Sequence, residues 1–188
     1  TNVYGVGYVF GAGGNLEGTF SASWNGGAYT WVADCHGDSY AVSASATNPA
    51  VYTAGHAHYC GNLGTGGFPQ TEPWSFYRAI AFTKDATGLS KSDIYGYKDH
   101  PGAPSPTLLD WFPDMNVGSF TNMWQGPWDV LVSGDYVLYG GEFTTVNGVR
   151  QQGLARFAAK EIAPNKDGPR LAGADFKPTT VSFIRGSI

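Results

Sequence analysis

The sequence predicts an all-β protein made of repeated antiparallel sheet units, and three observations support this prediction. Three segments, at 4–8, 52–56 and 138–142, can be superimposed, because each is an apolar or aromatic run that reaches a glycine and is followed, after a turn, by a second short run. Glycine supplies 27 of the 188 residues, roughly twice the usual share of about 7%. No stretch has the periodicity of an amphipathic helix. Hairpins that recur in this way cannot bury their own faces alone, so they stack as blades or as a solenoid.

The predicted strands follow one another along the chain, separated by turn-forming clusters. They are 2–10, 17–24, 28–35, 40–46, 50–59, 78–83, 128–133, 136–143 and 153–159. The Asn-Gly-Gly cluster at 25–27 and the Thr-Asn-Pro cluster at 47–49 are typical turn sequences. The Gly-Asp pair at 134–135 predicts a two-residue hairpin turn.

The spacing of the repeated glycines predicts one long insertion. Gly7 and Gly55 are 48 residues apart, whereas Gly55 and Gly141 are 86 residues apart. The second unit therefore contains extra residues, which we place at about 85–122. This stretch is rich in proline and aromatic residues. Long loops of this kind are uncommon unless they are functional or disordered, and the aromatic content argues against disorder.

Two strings of the sequence carry a family resemblance. GGEFTTVNG at 140–148, followed by LARF at 154–157, resembles the GGxFTxVNG repeat of exported bacterial β-propellers. GHAHYCGN at 55–62 resembles a variant blade of large, secreted, multi-domain actinobacterial proteins. The resemblance implies antiparallel four-stranded propeller blades over residues 1–165, and it specifies no activity.

The number of repeats predicts a partial propeller. About three blades are present, whereas closed propellers have four to eight. We therefore expect the remainder of a parent polypeptide, or a complementary chain, to complete the ring. Residues 166–188 are interpreted as an exit linker and the first strand of a following immunoglobulin-like or fibronectin-like module.

The two cysteines predict a disulfide. Cys35 and Cys60 are the only cysteines in the chain, and each comes at the end of a predicted strand. A bridge between them would add roughly 3 kcal/mol of stability, and such bridges persist in oxidising compartments. Two separate buried thiols are the alternative. Together with the low lysine content, the cysteines favour a secreted, extracellular protein.

Charge and hydropathy exclude several classes of partner and cofactor. The formal net charge of −4 argues against nucleic acid and anionic membranes, which need a clustered basic face. No apolar run approaches the roughly 18 residues of a membrane span. The sequence contains no phosphate-binding glycine loop, no Gly-x-Ser-x-Gly elbow and no reactive-cysteine setting. We therefore expect no cofactor.

Histidines form the one constellation with the character of a metal site. His56 and His58 are two residues apart on a predicted strand, so their side chains share one face. His36 would be brought close by the disulfide, which makes these three histidines a weak alternative metal site. The other interpretation is that they are hydrogen-bonded blade residues beside the disulfide.

Carboxylates form a second set of candidates. Glycoside hydrolases use two carboxylates a few ångströms apart. The candidates are Asp110, Asp114, Asp129 and Glu142. Acidic residues in loops are more often solvated or cap turns, so the sequence favours a non-catalytic protein and leaves an enzyme open.

Aromatic residues near the insertion are the favoured ligand-binding candidates. Exposed rings stack on sugar faces, and apolar pockets with a few polar groups are the usual ligand sites. The predicted ligand-binding residues are Trp74, Tyr77, Trp111 and Trp124, with His56 and His58 as polar partners. The alternative is that these rings pack the insertion onto the blade.

These observations predict a secreted, non-catalytic binding or scaffold module with extracellular polysaccharide as its ligand. One alternative is a carbohydrate-active enzyme whose site is shared with blades outside this chain. A purely structural spacer is the other.

Overall fold

The computed structural model describes residues 1–9, 16–97, 100–159 and 162. The chain there folds into short β-strands joined by turns and loops, and that part of it contains no helix. The strands are β1 (Asn2–Val6), β2 (Thr19–Ser23), β3 (Tyr29–Ala33), β4 (Ser39–Ala44), β5 (Ala50–Ala57), β6 (Tyr77–Thr83), β7 (Gly88–Leu89), β8 (Pro104–Ser105), β9 (Pro127–Ser133), β10 (Tyr136–Gly141), β11 (Thr145–Val146), β12 (Val149–Arg150) and β13 (Leu154–Ala158). The prediction of an all-β fold is confirmed.

The longer strands form three antiparallel sheets, each from a continuous stretch of chain. The first sheet has the order β1-β2-β3, the second β4-β5-β6 and the third β9-β10-β13. The pairs β7-β8 and β11-β12 form two-stranded ribbons. Every strand pair is antiparallel. No closed ring of sheets is seen among the described residues.

The larger sheets differ from the predicted four-stranded blades, because each has three strands in the described part of the chain. In the second sheet, an irregular segment lies along the outer edge of β6. The Thr83 amide donates to the Thr107 carbonyl at 2.9 Å, and the Leu109 amide donates to the Ala81 carbonyl at 2.8 Å. The Thr107 amide donates to the Thr83 hydroxyl at 3.0 Å and not to a backbone carbonyl, so the edge contact does not continue as a regular strand pairing.

A first hydrophobic core lies between the first and second sheets. Trp31 of β3 is fully buried and packs near Phe82 of β6, with ring centroids 6.3 Å apart. Its indole Nε1 donates to the Lys84 carbonyl at 2.6 Å. Val51 and Ile80 belong to the same buried cluster. Because these side chains come from both sheets, the core holds the two sheets face to face.

A second core lies between the second and third sheets. Ala54 and Ala79 contribute from the second sheet, and Val130 and Tyr139 contribute from the third. Small residues on one side and a large ring on the other allow the two sheets to approach closely. The second sheet is therefore covered on both faces.

The predicted disulfide is confirmed, and it joins the first and second sheets. Cys35 and Cys60 are bonded to one another and both are buried. Next to them, the His36 amide donates to the Tyr59 carbonyl, and the His58 amide donates to the His36 carbonyl, each at 2.8 Å. The covalent link and this short bridge hold the ends of β3 and β5 together.

Residues 84–126 connect the second and third sheets, and in the described parts of this connection, 84–97 and 100–126, the strands are those of the ribbon β7-β8. Several buried contacts hold this connection in place. The Ser105 hydroxyl accepts a hydrogen bond from the Gly64 amide at 3.0 Å, and His36 Nε2 pairs with Asp93 Oδ2 at 2.5 Å. The linker and strand predicted at 166–188 lie outside the described residues. Within the described residues, no helix has the length and apolarity to cross a membrane.

Candidate ligand-binding surface

Two histidines lie at the end of strand β5, with His56 inside the strand and His58 immediately after it. His56 is half-buried and His58 is buried. The Asp38 amide donates to His56 Nε2 at 3.3 Å, so Nδ1 carries the proton. His56 Nδ1 then donates to Gln125 Oε1 at 3.1 Å and lies 2.9 Å from the Tyr40 hydroxyl. Both ring nitrogens of His56 are therefore engaged by the protein.

The second histidine supports an exposed tryptophan. The rings of His58 and Trp74 are stacked, with centroids 4.1 Å apart and planes inclined by 13°. Trp74 is nonetheless 44% exposed. Because His58 covers one face of the indole, the exposed area belongs to the opposite face and the edges. The indole Nε1 donates to Glu72 Oε1 at 3.2 Å, which fixes the rotation of the ring.

A second ring and an amide complete this surface. Phe76 is 39% exposed and lies edge-on to Trp74, His56 and His58, with centroids about 6 Å apart. His58 Nδ1 donates to Gln70 Oε1 at 2.9 Å. We call His56, His58, Gln70, Trp74 and Phe76 together the Trp74 surface.

The charge state of this surface follows from burial. Burial lowers the pKa of His58, the bond to Gln70 partly opposes this, and the neighbouring His36 and His56 lower it further. His58 is therefore neutral at neutral pH and stacks on Trp74 as an uncharged ring. Burial also raises the pKa of the Tyr40 hydroxyl, and the adjacent Asp38 raises it further. Tyr40 thus stays a neutral phenol beside His56.

One cation lies at the edge of the Trp74 surface. The Arg78 guanidinium is 5.5 Å from the centre of the Phe76 ring, and its Nη1 donates to the Met115 carbonyl at 3.1 Å. Burial lowers the pKa of Arg78, while Asp114 raises it. Because the ordinary pKa of arginine is very high, the Arg78 guanidinium stays charged. Arg78 therefore holds the connecting loop against Phe76.

A carboxylate organises the loop that carries Trp124. Glu142 Oε2 accepts from the Thr121 amide at 2.9 Å, and Oε1 accepts from the Thr121 hydroxyl at 2.7 Å. The Gln125 amide and Trp128 Nε1 also donate to Oε1, at 3.4 and 3.2 Å. Donation by the Thr121 amide is the main cause of the lowered pKa of Glu142.

The Trp124 loop has an unusual backbone. Asn122 and Trp124 have φ values of 60° and 56°, in the left-handed region that residues other than glycine seldom adopt. Residues held in this way tend to cluster at functional sites. Trp124 is 64% exposed, and the hydrogen bond that His56 Nδ1 donates to the adjacent Gln125 places the Trp124 loop beside the Trp74 surface.

The six predicted ligand-binding residues fall into separate places. Trp74, His56 and His58 come together, and Trp124 lies on the loop bonded to His56. Tyr77 is half-buried instead and stacks on Phe68, with centroids 4.0 Å apart. Trp111 packs near Tyr139 in the second core. These last two rings pack the connection onto the sheets, which was the alternative interpretation of the aromatic residues.

The described residues do not assemble the alternative metal site. No group of three or more His, Cys, Asp or Glu side chains in the described ranges is placed to hold a metal ion. His36 pairs with Asp93, and its ring lies edge-on to that of His58. Both nitrogens of His56 are engaged, as described above. The three histidines therefore serve as hydrogen-bonding and stacking groups.

The candidate carboxylates each have a separate environment. Glu142 accepts the four hydrogen bonds described above, so it holds a loop. Asp129 Oδ1 accepts from the amide of the next residue at 2.8 Å. Asp114 is exposed and its charge acts on Arg78, while Asp110 is exposed to solvent. These contacts are typical of structural carboxylates.

Several residues of this region escaped the sequence analysis. Gln70 and Gln125 contact the histidines from loops that are distant in the sequence. Glutamines in loops carry no local pattern that marks them as partners of a particular histidine. The one sequence signal for this surface was that Trp74 and Phe76, both aromatic, lie two residues apart just before β6.

Comparison with known protein families, curated proteins and solved structures finds no match to this chain. The fold and the site define a class: an all-β protein of stacked antiparallel sheets, joined by a disulfide, with an exposed aromatic surface on the middle sheet. The resemblance to the GGxFTxVNG propellers stays a prediction.

Proposed function

We propose that this chain is a non-catalytic carbohydrate-binding module of a secreted protein, and that its three sheets are blades of a partial β-propeller. The repeat at 140–148 and the face-to-face packing of the sheets around two cores support the propeller assignment. The disulfide supports export, because such bonds persist in oxidising compartments. Further blades would come from the rest of a parent polypeptide or from a second chain.

The main support for this proposal is the indole of Trp74, which is held on one face by His58 and exposed on the other. A flat ring that is already fixed by stacking on His58 and by the bond to Glu72 loses little freedom when a ligand binds. The C–H face of a sugar ring can then cover the exposed indole, and each Å² of buried apolar area contributes roughly 25 cal/mol. Aromatic side chains with a polar edge are well suited to such amphipathic ligands.

Polar groups beside Trp74 supply the directional contacts that a sugar requires. Gln70 Oε1 is used by His58, and in the described part of the chain the Nε2 group of Gln70 has no acceptor. This amide can therefore donate to a sugar hydroxyl. Because His58 is neutral, the stacked pair has no charge of its own. We therefore propose a neutral sugar as the unit that covers Trp74.

A glycan titration tests this proposal. Soluble oligosaccharides of glucose, xylose, mannose and N-acetylglucosamine would be titrated while tryptophan fluorescence and heat of binding are measured. At least one is expected to bind, and Trp74→Ala is expected to weaken it by about tenfold or more. Trp24→Ala is the matched control, because Trp24 is 71% exposed and lies on the turn between β2 and β3.

Each outcome of this experiment decides between the functions. If no glycan of the panel binds, or if both tryptophan variants bind equally well, the carbohydrate proposal is wrong and the spacer function is favoured. Release of reducing sugar from the same panel would indicate the enzyme instead. Binding without product formation supports a non-catalytic module.

A further inference from the structure

A second candidate site lies at the opposite end of the same pair of sheets. A cleft of about 240 Å³ opens between the second and third sheets, beside the β4–β5 turn and the β9–β10 turn. The Thr47 hydroxyl donates to the Gly134 carbonyl at 3.4 Å and links the two turns. The cleft is near the start of β5, whereas His56 is near its end. Tyr52, which lines the cleft, and His56 are four residues apart on β5, which is about 13 Å along the strand. The described lining of the cleft includes no residue of the Trp74 surface, so the two sites are distinct.

Three aromatic rings pack in this cleft, and the outer two are each nearly at right angles to the central one. Trp111 is central, because its ring lies 5.1 Å from Tyr52 and 5.4 Å from Phe157, measured between centroids. The corresponding planes are inclined by 85° and 82°. All three rings line the cleft, and each is only half-buried. The cleft is therefore walled by aromatic surfaces that differ in orientation.

The charge at this cleft is negative. Asp135 lies at its rim on the β9–β10 turn and is exposed. Ser45 and Asn48 are the uncharged polar side chains of the lining. Among the described residues that line the cleft, none is lysine or arginine. An anionic ligand therefore finds no counter-charge here, whereas a cation finds both a carboxylate and ring faces.

We propose that this cleft binds an organic cation, namely a quaternary or methylated ammonium group. The face of an aromatic ring carries negative potential, so a cation is attracted to it, and several rings around one position add their effects. Methyl groups on the nitrogen match the apolar ring surfaces, and Asp135 supplies the balancing charge. The cleft is smaller than the roughly 300–1,000 Å³ of pockets for drug-sized ligands. It therefore fits a head group better than an oligosaccharide.

Choline and its uncharged analogue 3,3-dimethyl-1-butanol provide a direct test. The two molecules have nearly the same shape, but only choline carries the charge. Both would be titrated into the whole chain, with tryptophan fluorescence and chemical-shift changes of the Trp111 indole as readouts. Choline is expected to bind at least about tenfold more tightly than the analogue. Equal affinity for the two, or no binding of choline, overturns the proposal.

Charge variants distinguish binding of choline in this cleft from general attraction of a cation to an acidic protein. Asp135→Asn keeps the turn, since asparagine is also favoured there, and is expected to weaken choline several-fold while leaving the analogue unaffected. Asp129→Asn is the matched control, because Asp129 is an exposed carboxylate on β9 that does not line the cleft. Equal weakening by both variants contradicts the proposal. Glucose forms a third arm, and a larger shift of the Trp111 indole with glucose than with choline would assign the cleft to sugars instead, because Trp111 lines the cleft and the Trp74 surface does not include it.

Discussion

The Tyr139 hydroxyl of β10 donates a hydrogen bond to the Thr53 carbonyl of β5, with 2.9 Å between the oxygens. Tyr139 is fully buried, and burial raises the pKa of its phenol well above the ordinary value. The hydroxyl is therefore neutral at neutral pH and able to donate. This single bond joins the middle strands of the second and third sheets through their shared core.

Removing that hydroxyl tests how strongly the two sheets are coupled. Tyr139→Phe keeps the ring but loses the hydrogen bond, so the free energy of unfolding is expected to fall by about 1–2 kcal/mol. The midpoint of thermal unfolding should then fall by a few degrees, at roughly 2–4 °C per kcal/mol for a chain of this size. Tyr29→Phe is the control, because Tyr29 is an exposed residue of β3. Equal losses in the two variants would show that the bond does not couple the sheets.

The strands and the disulfide were predictable because their signals are local. Alternating apolar residues and glycine-rich turns mark the strands in the sequence, and the chain has only one possible pairing of cysteines. The β9–β10 hairpin formed around the Gly-Asp pair at 134–135, as the turn chemistry requires.

The contacts of the connecting loop were not predictable, because they join residues distant in the sequence. Gln125 meets His56 across 69 positions, and Thr121 meets Glu142 across 21. Such pairs leave no periodic pattern in a single sequence. The same limit applies to Trp74 and Tyr77, which are three residues apart. The first is exposed on the surface and the second packs against Phe68, and only the three-dimensional path of the loop separates them.

The disulfide is expected to stabilise the joined ends of β3 and β5. Replacing both Cys35 and Cys60 with serine should lower the free energy of unfolding by about 3 kcal/mol, chiefly because the unfolded chain gains freedom. Denaturant unfolding with and without reductant measures this effect. Reductant should destabilise the wild-type chain and leave the double variant unchanged. Reactive thiols in the denatured, unreduced wild-type protein would contradict the bond.

The buried histidine predicts a dependence of stability on pH. Burial lowers the pKa of His58 in the folded state, while the unfolded chain keeps a value of about 6.5. Below pH 6.5 the unfolded state therefore binds the proton more readily, and stability falls as the pH falls until the folded pKa is passed. Above pH 6.5 the effect of His58 is constant.

A variant that cannot be protonated isolates this contribution. His58→Phe retains a flat ring under Trp74, so the stack can persist without a titrating group. The difference in free energy of unfolding between wild type and variant should change between pH 7 and pH 5, with the wild type losing relative stability on acidification. Parallel pH curves for the two proteins would show that His58 is not the group responsible.

The carboxylate of Glu142 is expected to hold Trp124 in position. Glu142→Gln replaces an acceptor of four hydrogen bonds with an amide whose NH2 group faces donors, so the contacts to Thr121 and to Trp128 Nε1 cannot all be kept. The loop at 121–125 should then leave its left-handed backbone conformation, which needs support. Two results are expected: a protease should cleave this loop faster, and the anisotropy of tryptophan fluorescence should fall because Trp124 moves more freely. Asp110→Asn is the control, because Asp110 is an exposed carboxylate.

The same carboxylate predicts an effect of acid on the loop. Donation by Thr121 lowers the pKa of Glu142 in the folded state, so the contacts persist below the ordinary pKa of glutamate, about 4.3. As the pH falls through the lowered value, the carboxylate is protonated and the loop is released. The rate of proteolysis by an acid-active protease should therefore rise on acidification in the wild type. In Glu142→Gln the rate should already be high and should not change with pH, and a matching rise in both proteins would assign the transition to another group.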